Sequence, residues 1–235
     1  MLLMDTIKFD CNNKIEIPEY IKRVKVDVGL SINAPHSKLW LDHDEDLLVF
    51  GFEPNSNAIE QIKRHIPYEI IWPHCLDPKM IGDRIHLINC ALGNENKENV
   101  KLYITEGDVG CSSLYQPMQI KVKHSVDVKQ FTLETFFKLF PFDQIPYIEY
   151  LKIDAQGSDF NILKGCGDYI QNIIYVTIEC DVDHYHNVSN DLQSIIVYMQ
   201  NYGFKYIKHQ NTIDPTFVNT KFSDIAETIY ICQIG

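Results

Sequence analysis

Five places in this sequence set polar or acidic side chains directly after a short, largely β-branched apolar run. They are Asp27-Val28-Gly29, Glu53-Pro54-Asn55, Asn89-Cys90-Ala91, Asp154, and Glu179 with Asp181. Carboxylates in such positions can accept hydrogen bonds from hydroxyls or take a proton from one. For any one of them, a solvated turn or a helix cap is the plainer reading. That reading weakens when all of them fall on the rim where open α/β sheets bind ligands, outside the carboxyl ends of the strands.

The first two places have the character of a nucleoside site. A glycine after the first run lets backbone approach a ligand closely, and an acid after the second can hold both hydroxyls of a ribose. Gly29 and Glu53 lie about two dozen residues apart, near the spacing of roughly 20 in dinucleotide sites. The glycine-rich turn of those sites is absent, however: Leu30-Ser31-Ile32-Asn33-Ala34 follows Gly29. A single glycine in an acidic chain suits a cofactor without a pyrophosphate and with a positive centre. S-adenosylmethionine is of that type, its ribose read by Glu53 and its sulfonium compatible with Asp27 and Asp154.

The elements that must position these residues follow from periodicity. Strands are expected at 24–28, 47–52, 85–91, 100–105, 122–128, 147–153, 173–178, 204–208 and 228–233, the last two as an antiparallel closing hairpin. Helices are expected at 36–43 behind Pro35, from Ser56, from Thr132 as a cap, from Ser158 as a cap, and at 191–201. Phe136, Phe137 and Phe140 fall on one helix face and read as core. Trp40 and Trp72 read as packing before they read as sugar platforms. Strands alternating with helices imply a parallel sheet with crossovers.

Composition narrows the classes. The chain has 235 residues with a formal net charge of −11, which fits one α/β domain over 1–235 with an N-terminal extension at 1–21. An acidic chain argues against binding driven by phosphate neutralisation, so no nucleic-acid partner is expected. No apolar run approaches the ~18 residues of a membrane span, and the N-terminus lacks the pattern of a secretory signal. Seven cysteines, an odd number without a C-x-x-C pair, argue against disulfides or structural zinc. A reducing, cytoplasmic location is expected, that of the host if the source is viral. The apolar stretch 1–9 either folds back or packs on a partner, as in a homodimer.

Taken in order, Val26-Asp27-Val28-Gly29, Gly51-Phe52-Glu53-Pro54-Asn55, Asn89-Cys90-Ala91-Leu92-Gly93, Cys111-Ser112-Ser113-Leu114, Leu151-Lys152-Ile153-Asp154-Ala155-Gln156-Gly157 through Ile162-Leu163-Lys164-Gly165, and Val176-Thr177-Ile178-Glu179 resemble the FkbM family of methyltransferases. The resemblance covers roughly 22–183. It implies a class I, Rossmann-like three-layer α/β sandwich, with a mostly parallel seven-stranded sheet and an antiparallel last strand. It further implies an O-methyltransferase that uses S-adenosylmethionine on a hydroxyl of a sugar, nucleotide sugar or glycan. By matching position, Asp27, Gly29, Leu30, Asn33, Glu53, Pro54, Asn55, Cys90, Ala91, Ser112, Ser113 and Asp154 would surround the cofactor. The chain departs from the family where Gly29–Pro35 replaces a G-A-N-x-G turn, and where Gln156 stands in place of the glutamate of D-x-E-G.

Methyl transfer to a hydroxyl needs alignment and a base. Asp154 is the first candidate, and Glu179, Asp181 and His184 form a second cluster. Asp181, Asp183 and His184 could hold a hard divalent ion, but a polar turn is the plainer reading and no metal is expected. His36 is a further base, and Tyr185 and His186 are candidates for an acceptor wall. Two alternatives stay open: an RNA cap or ribose 2′-O-methyltransferase, and a non-catalytic scaffold of the same fold.

Overall fold

The computed structural model describes residues 6–65, 76–107, 109–180, 185, 186, 188, 191–207 and 214–227. Its main sheet is built from β1 (Arg23–Val28), β2 (Leu47–Phe52), β3 (Ile85–Ile88), β7 (Ile148–Ile153), β8 (Ile173–Ile178), β9 (Phe204–Ile207) and β10 (Thr216–Asn219). The strand order is β3-β2-β1-β7-β8-β10-β9. β3, β2, β1, β7 and β8 pair in parallel, while β10 runs antiparallel to both β8 and β9. The order reverses between β1 and β7, and a ligand crevice opens at such a switch point.

Every residue of β2 is buried, because both of its faces are covered. Leu47 and Val49 join a cluster with Leu30, Leu41, Ile59 and Ile62, under helices α1 (Pro35–His43) and α2 (Ser56–Lys63). Leu48, Phe50 and Phe52 join the larger cluster under α3 (Leu133–Phe137), α4 (Asp159–Lys164) and α5 (Leu192–Asn201). This two-sided cover explains an unbroken apolar run in place of alternation. Phe136 is fully buried, with its ring centroid 5.0 Å from Phe50 and 5.3 Å from Phe52. Truncating such a ring costs about 3–5 kcal/mol. Ile7, Ile15, Ile17 and Ile21 enter the same cluster, so the described part of the extension lies on the body of the fold.

A second, three-stranded sheet stands beside the first. β4 (Ala91–Leu92) pairs with β6 (Val122–Phe131), which pairs with β5 (Lys97–Thr105). Most of this β5–β6 ribbon is exposed on both faces. The alternation at 100–105 and 122–128 therefore marks strands, but strands outside the main sheet.

Two local expectations change. The antiparallel strand inserted beside β8 is Thr216–Asn219, and 228–233 lies outside the described residues. Ser158 occupies the N-cap position of α4 without capping it. Asp159 satisfies the turn instead: its carboxylate accepts from the Ala155 N–H at 2.7 Å and the Gly157 N–H at 2.8 Å. Thr132, Asn55 and Asp191 do cap their helices.

Candidate functional site

A cavity of about 340 Å³ lies over the carboxyl ends of β1, β2 and β7. Gly29, Asn33, Glu53, Pro54, Asn55, Cys90, Ala91, Ser112, Ser113 and Asp154 all line it. Asp27 and Leu30 stand behind the wall. Leu30 is fully buried, packed so closely over Gly51 that a Cβ there would come within 2.7 Å of it. Gly29 is required for a reason other than ligand approach. Its φ is +84°, and a Cβ would sit 1.8 Å from the Asp154 carbonyl oxygen. The glycine lets β1 and β7 close at the switch point.

Glu53 is buried and held by backbone on both oxygens: Ser31 N–H donates to Oε2 at 3.0 Å and Asn55 N–H to Oε1 at 2.8 Å. The Asn89 side chain ties down this turn by donating to the Glu53 and Pro54 carbonyls at 2.8 and 3.1 Å. Burial raises the Glu53 pKa to about 7, against the pull of those two N–H donors and of Lys152. A carboxylate with two bonds of its roughly four filled keeps acceptor capacity for a diol. Cys90 is a buried thiol whose pKa burial pushes up, an inert wall rather than a nucleophile.

The other end of the cavity is a charge network. Lys152 is buried, with Nζ 3.5 Å from Asp27 Oδ1 and 3.2 Å from Asp154 Oδ2. Burial works against its charge, but the two carboxylates outweigh burial and hold the ammonium above its ordinary range. Asp27 also accepts from Ser37 Oγ at 2.6 Å and from the Ser37 N–H at 3.2 Å, which fastens α1 to β1. Burial likewise disfavours the Asp154 anion, and Lys152 with Gln156 reverses that, keeping its pKa below the usual carboxylate value. His36 is pushed towards the neutral form, by burial first and by Lys152 second. Asp214, ahead of β10, faces the same cluster; burial and then Asp154 raise its pKa, against Lys152.

Gln156, to which the sequence assigned no role, joins the parts. It adopts φ +53° in the turn after β7. Its Nε2 donates to Asp154 Oδ1 at 2.9 Å and to Glu179 Oε2 and Oε1 at 3.0 and 3.2 Å. Its Oε1 accepts from the Tyr185 hydroxyl at 2.6 Å, and its carbonyl accepts from Ser113 Oγ at 2.6 Å. Tyr185 also donates to the Cys111 carbonyl at 3.1 Å. Glu179 therefore meets Asp154 through Gln156. Asp181, Asp183 and His184 lie outside the described residues, as does Trp72. Among the described residues no three His, Cys, Asp or Glu side chains are grouped to hold a metal ion. Trp40 packs against Tyr150 at 5.5 Å, away from the cavity wall.

The strand order, the single antiparallel insertion and the cavity at the switch point define a Rossmann-like methyltransferase fold. The FkbM methyltransferase domain matches residues 38–206, well over half of the chain, and the protein belongs to that family. No curated protein matches the sequence. Among the described residues no helix is long and apolar enough to cross a membrane.

Proposed function

We propose that this methyltransferase uses S-adenosylmethionine to methylate a hydroxyl of a sugar or glycan. The observation that carries the reading is one continuous cavity, with the backbone-held carboxylate of Glu53 at one end and the lysine-braced carboxylate of Asp154 at the other. Bound there, the cofactor supplies an electrophilic methyl group. Glu53 would accept from both ribose hydroxyls. Leu92, Leu102, Leu114 and Ile162 offer an apolar wall for the base. Gly29, Asn33 and Asp154 would flank the sulfonium end, where negative charge is favourable.

Each Asp154 oxygen spends one lone pair on Lys152 or Gln156 and keeps another. An acceptor hydroxyl can therefore donate to Asp154, which orients the oxygen and receives the proton as the new bond forms. The acidic rim suits a polyhydroxyl acceptor. It disfavours RNA, as does the engagement of Lys152 by two carboxylates behind the rim, away from any phosphate.

The test is a transfer screen with methyl-labelled cofactor against nucleotide sugars and short glycans, beside equilibrium cofactor binding. Label on a glycan hydroxyl is the expected result. Tight cofactor binding without transfer to any glycan would move the acceptor to another class, with salt-sensitive RNA binding pointing to RNA. Absence of cofactor binding would leave a scaffold.

A further inference from the structure

We propose that the Gln156 carboxamide takes the place of a divalent cation between Asp154 and Glu179, making it the residue that positions these carboxylates without metal. The bridge concerns the acceptor end of the site proposed above, but it rests on contacts within the chain and is tested without an acceptor.

The geometry around Nε2 carries the inference. Three carboxylate oxygens from two strand ends converge on this one atom: Asp154 Oδ1 at 2.9 Å, Glu179 Oε2 at 3.0 Å and Glu179 Oε1 at 3.2 Å. One carboxylate offers a single oxygen and the other offers both, the mixture of monodentate and bidentate ligation that hard cations draw from proteins. An amide nitrogen has two N–H bonds to give. One goes to Asp154, and the other is shared by the two Glu179 oxygens. The amide cannot be turned round, because its oxygen would then face the Asp154 and Glu179 oxygens; as placed, that oxygen accepts from Tyr185 at 2.6 Å on the other side. The backbone is fixed as well, at φ +53° with the carbonyl held by Ser113.

Two carboxylates that share one donor repel each other, and in most proteins a metal or a proton settles such a pair. Here the remaining Asp154 oxygen faces Lys152 at 3.2 Å, so full positive charge reaches the pair from the β7 side. The amide supplies the link that holds the two strand ends together. A carboxylate in place of the amide would add a third anion and remove both N–H donors. A metal ion, or failing that a retained proton, would then have to bridge the cluster.

The experiment reads metal alone. Free Mn2+ is followed by electron paramagnetic resonance while it is titrated into the full chain, the Gln156→Glu, Asp154→Asn and Glu179→Gln variants, and the double variant Gln156→Glu/Glu179→Gln. An unchanged far-ultraviolet circular dichroism spectrum and a cooperative melting transition show that each variant is folded. Gln156→Glu should gain one Mn2+ site at least tenfold tighter than any the native chain has, and the double variant should lose it. In the native chain, neither Asp154→Asn nor Glu179→Gln should alter Mn2+ uptake. Loss of native Mn2+ binding in either single variant, or a folded Gln156→Glu that takes up no more Mn2+ than the native chain, overturns the proposal. Neither result touches the assignment of the methyl donor.

Discussion

Strands β1 and β7, paired side by side, each bury a lysine between two carboxylates, Lys25 towards the amino end of the sheet and Lys152, two positions further along the register, towards its carboxyl end. Lys25 lies 3.3 Å from Glu149 Oε1 and 4.0 Å from Asp44 Oδ2. Lys152 lies 3.5 Å from Asp27 and 3.2 Å from Asp154. The parts are alike and the outcomes opposite. Burial lowers the Lys25 pKa, with Glu149 resisting and Arg23 adding to the fall, while Lys152 is held above its ordinary value. Arg23 makes the difference. It clasps Glu149 at 2.5 and 2.7 Å and Asp44 at 2.6 Å, so both carboxylates at that end already have one cation and Lys25 is their second. At the carboxyl end no described arginine joins the pair, and Lys152 is the cation both acids share beside an open cavity. A saturated buried network belongs to the scaffold, whereas one with acceptor capacity turned towards a cavity belongs to a site.

The largest effect should come from the two lysines. Lys152→Met leaves the buried Asp27 and the partly exposed Asp154 without their cation and should cost about 3 kcal/mol in urea denaturation, the low end for a broken buried pair. Lys25→Met should cost less, about 1–3 kcal/mol, because Glu149 loses one buried partner but keeps Arg23. Equal losses would break the comparison. Next, Asp154→Asn should lower labelled methyl transfer by about 10²–10⁴-fold while the melting temperature holds. Glu149→Gln should do the reverse, and near-normal turnover in Asp154→Asn would remove that residue from the chemistry. Glu53→Ala should weaken S-adenosylmethionine binding by about 1–3 kcal/mol in calorimetry, the usual worth of hydrogen bonds to a charged group.

The smallest effect is a pH dependence. The Glu53 pKa is about 7 in the folded chain and near the ordinary glutamate value of 4.5 when unfolded. A raised folded-state pKa gives stability that is full at low pH and lost as pH climbs through about 7. The unliganded protein should therefore lose on the order of 1 kcal/mol between pH 6 and 8. Glu53→Gln should flatten that slope without abolishing it, because Asp159, raised to about 6, acts in the same direction. Cofactor affinity should rise over the same interval, since the diol needs the anion. Melting curves and calorimetry at three pH values decide both.

Much of this was legible in the sequence because the central strands are unbroken apolar runs that stop at polar residues. β1, β2, β7, β8 and the helices Pro35–His43 and Ser56–Lys63 fall where periodicity and capping put them, whereas the single run expected at 85–91 divides into β3 and, in the second sheet, β4. Thr216–Asn219 escaped notice because four residues inside a polar stretch carry no period, and only pairing with β8 and β9 makes them a strand. Ser158 was read as a cap by residue type, but an aspartate one position later reaches two N–H groups at once. Lys152 falls inside an apolar run, but nothing in the sequence marks its two partners, one of them on another strand. Gln156 stood out only as a departure from the family's glutamate, with no role attached. A carboxamide does not titrate, and its role depends on a turn conformation that aims it at two strand ends.

The ribbon of β5 and β6 carries a consequence of its own. It delivers Ser112 and Ser113 to the cavity and is joined to the main body by the Ser113–Gln156 and Tyr115–Asn161 bonds, with Leu102 and Ile104 buried beneath it. Its outer faces bury little, so substitutions there cost the fold almost nothing. The cavity wall is thus shared between strand ends that cannot change without cost to the sheet and a ribbon whose outer faces can change freely.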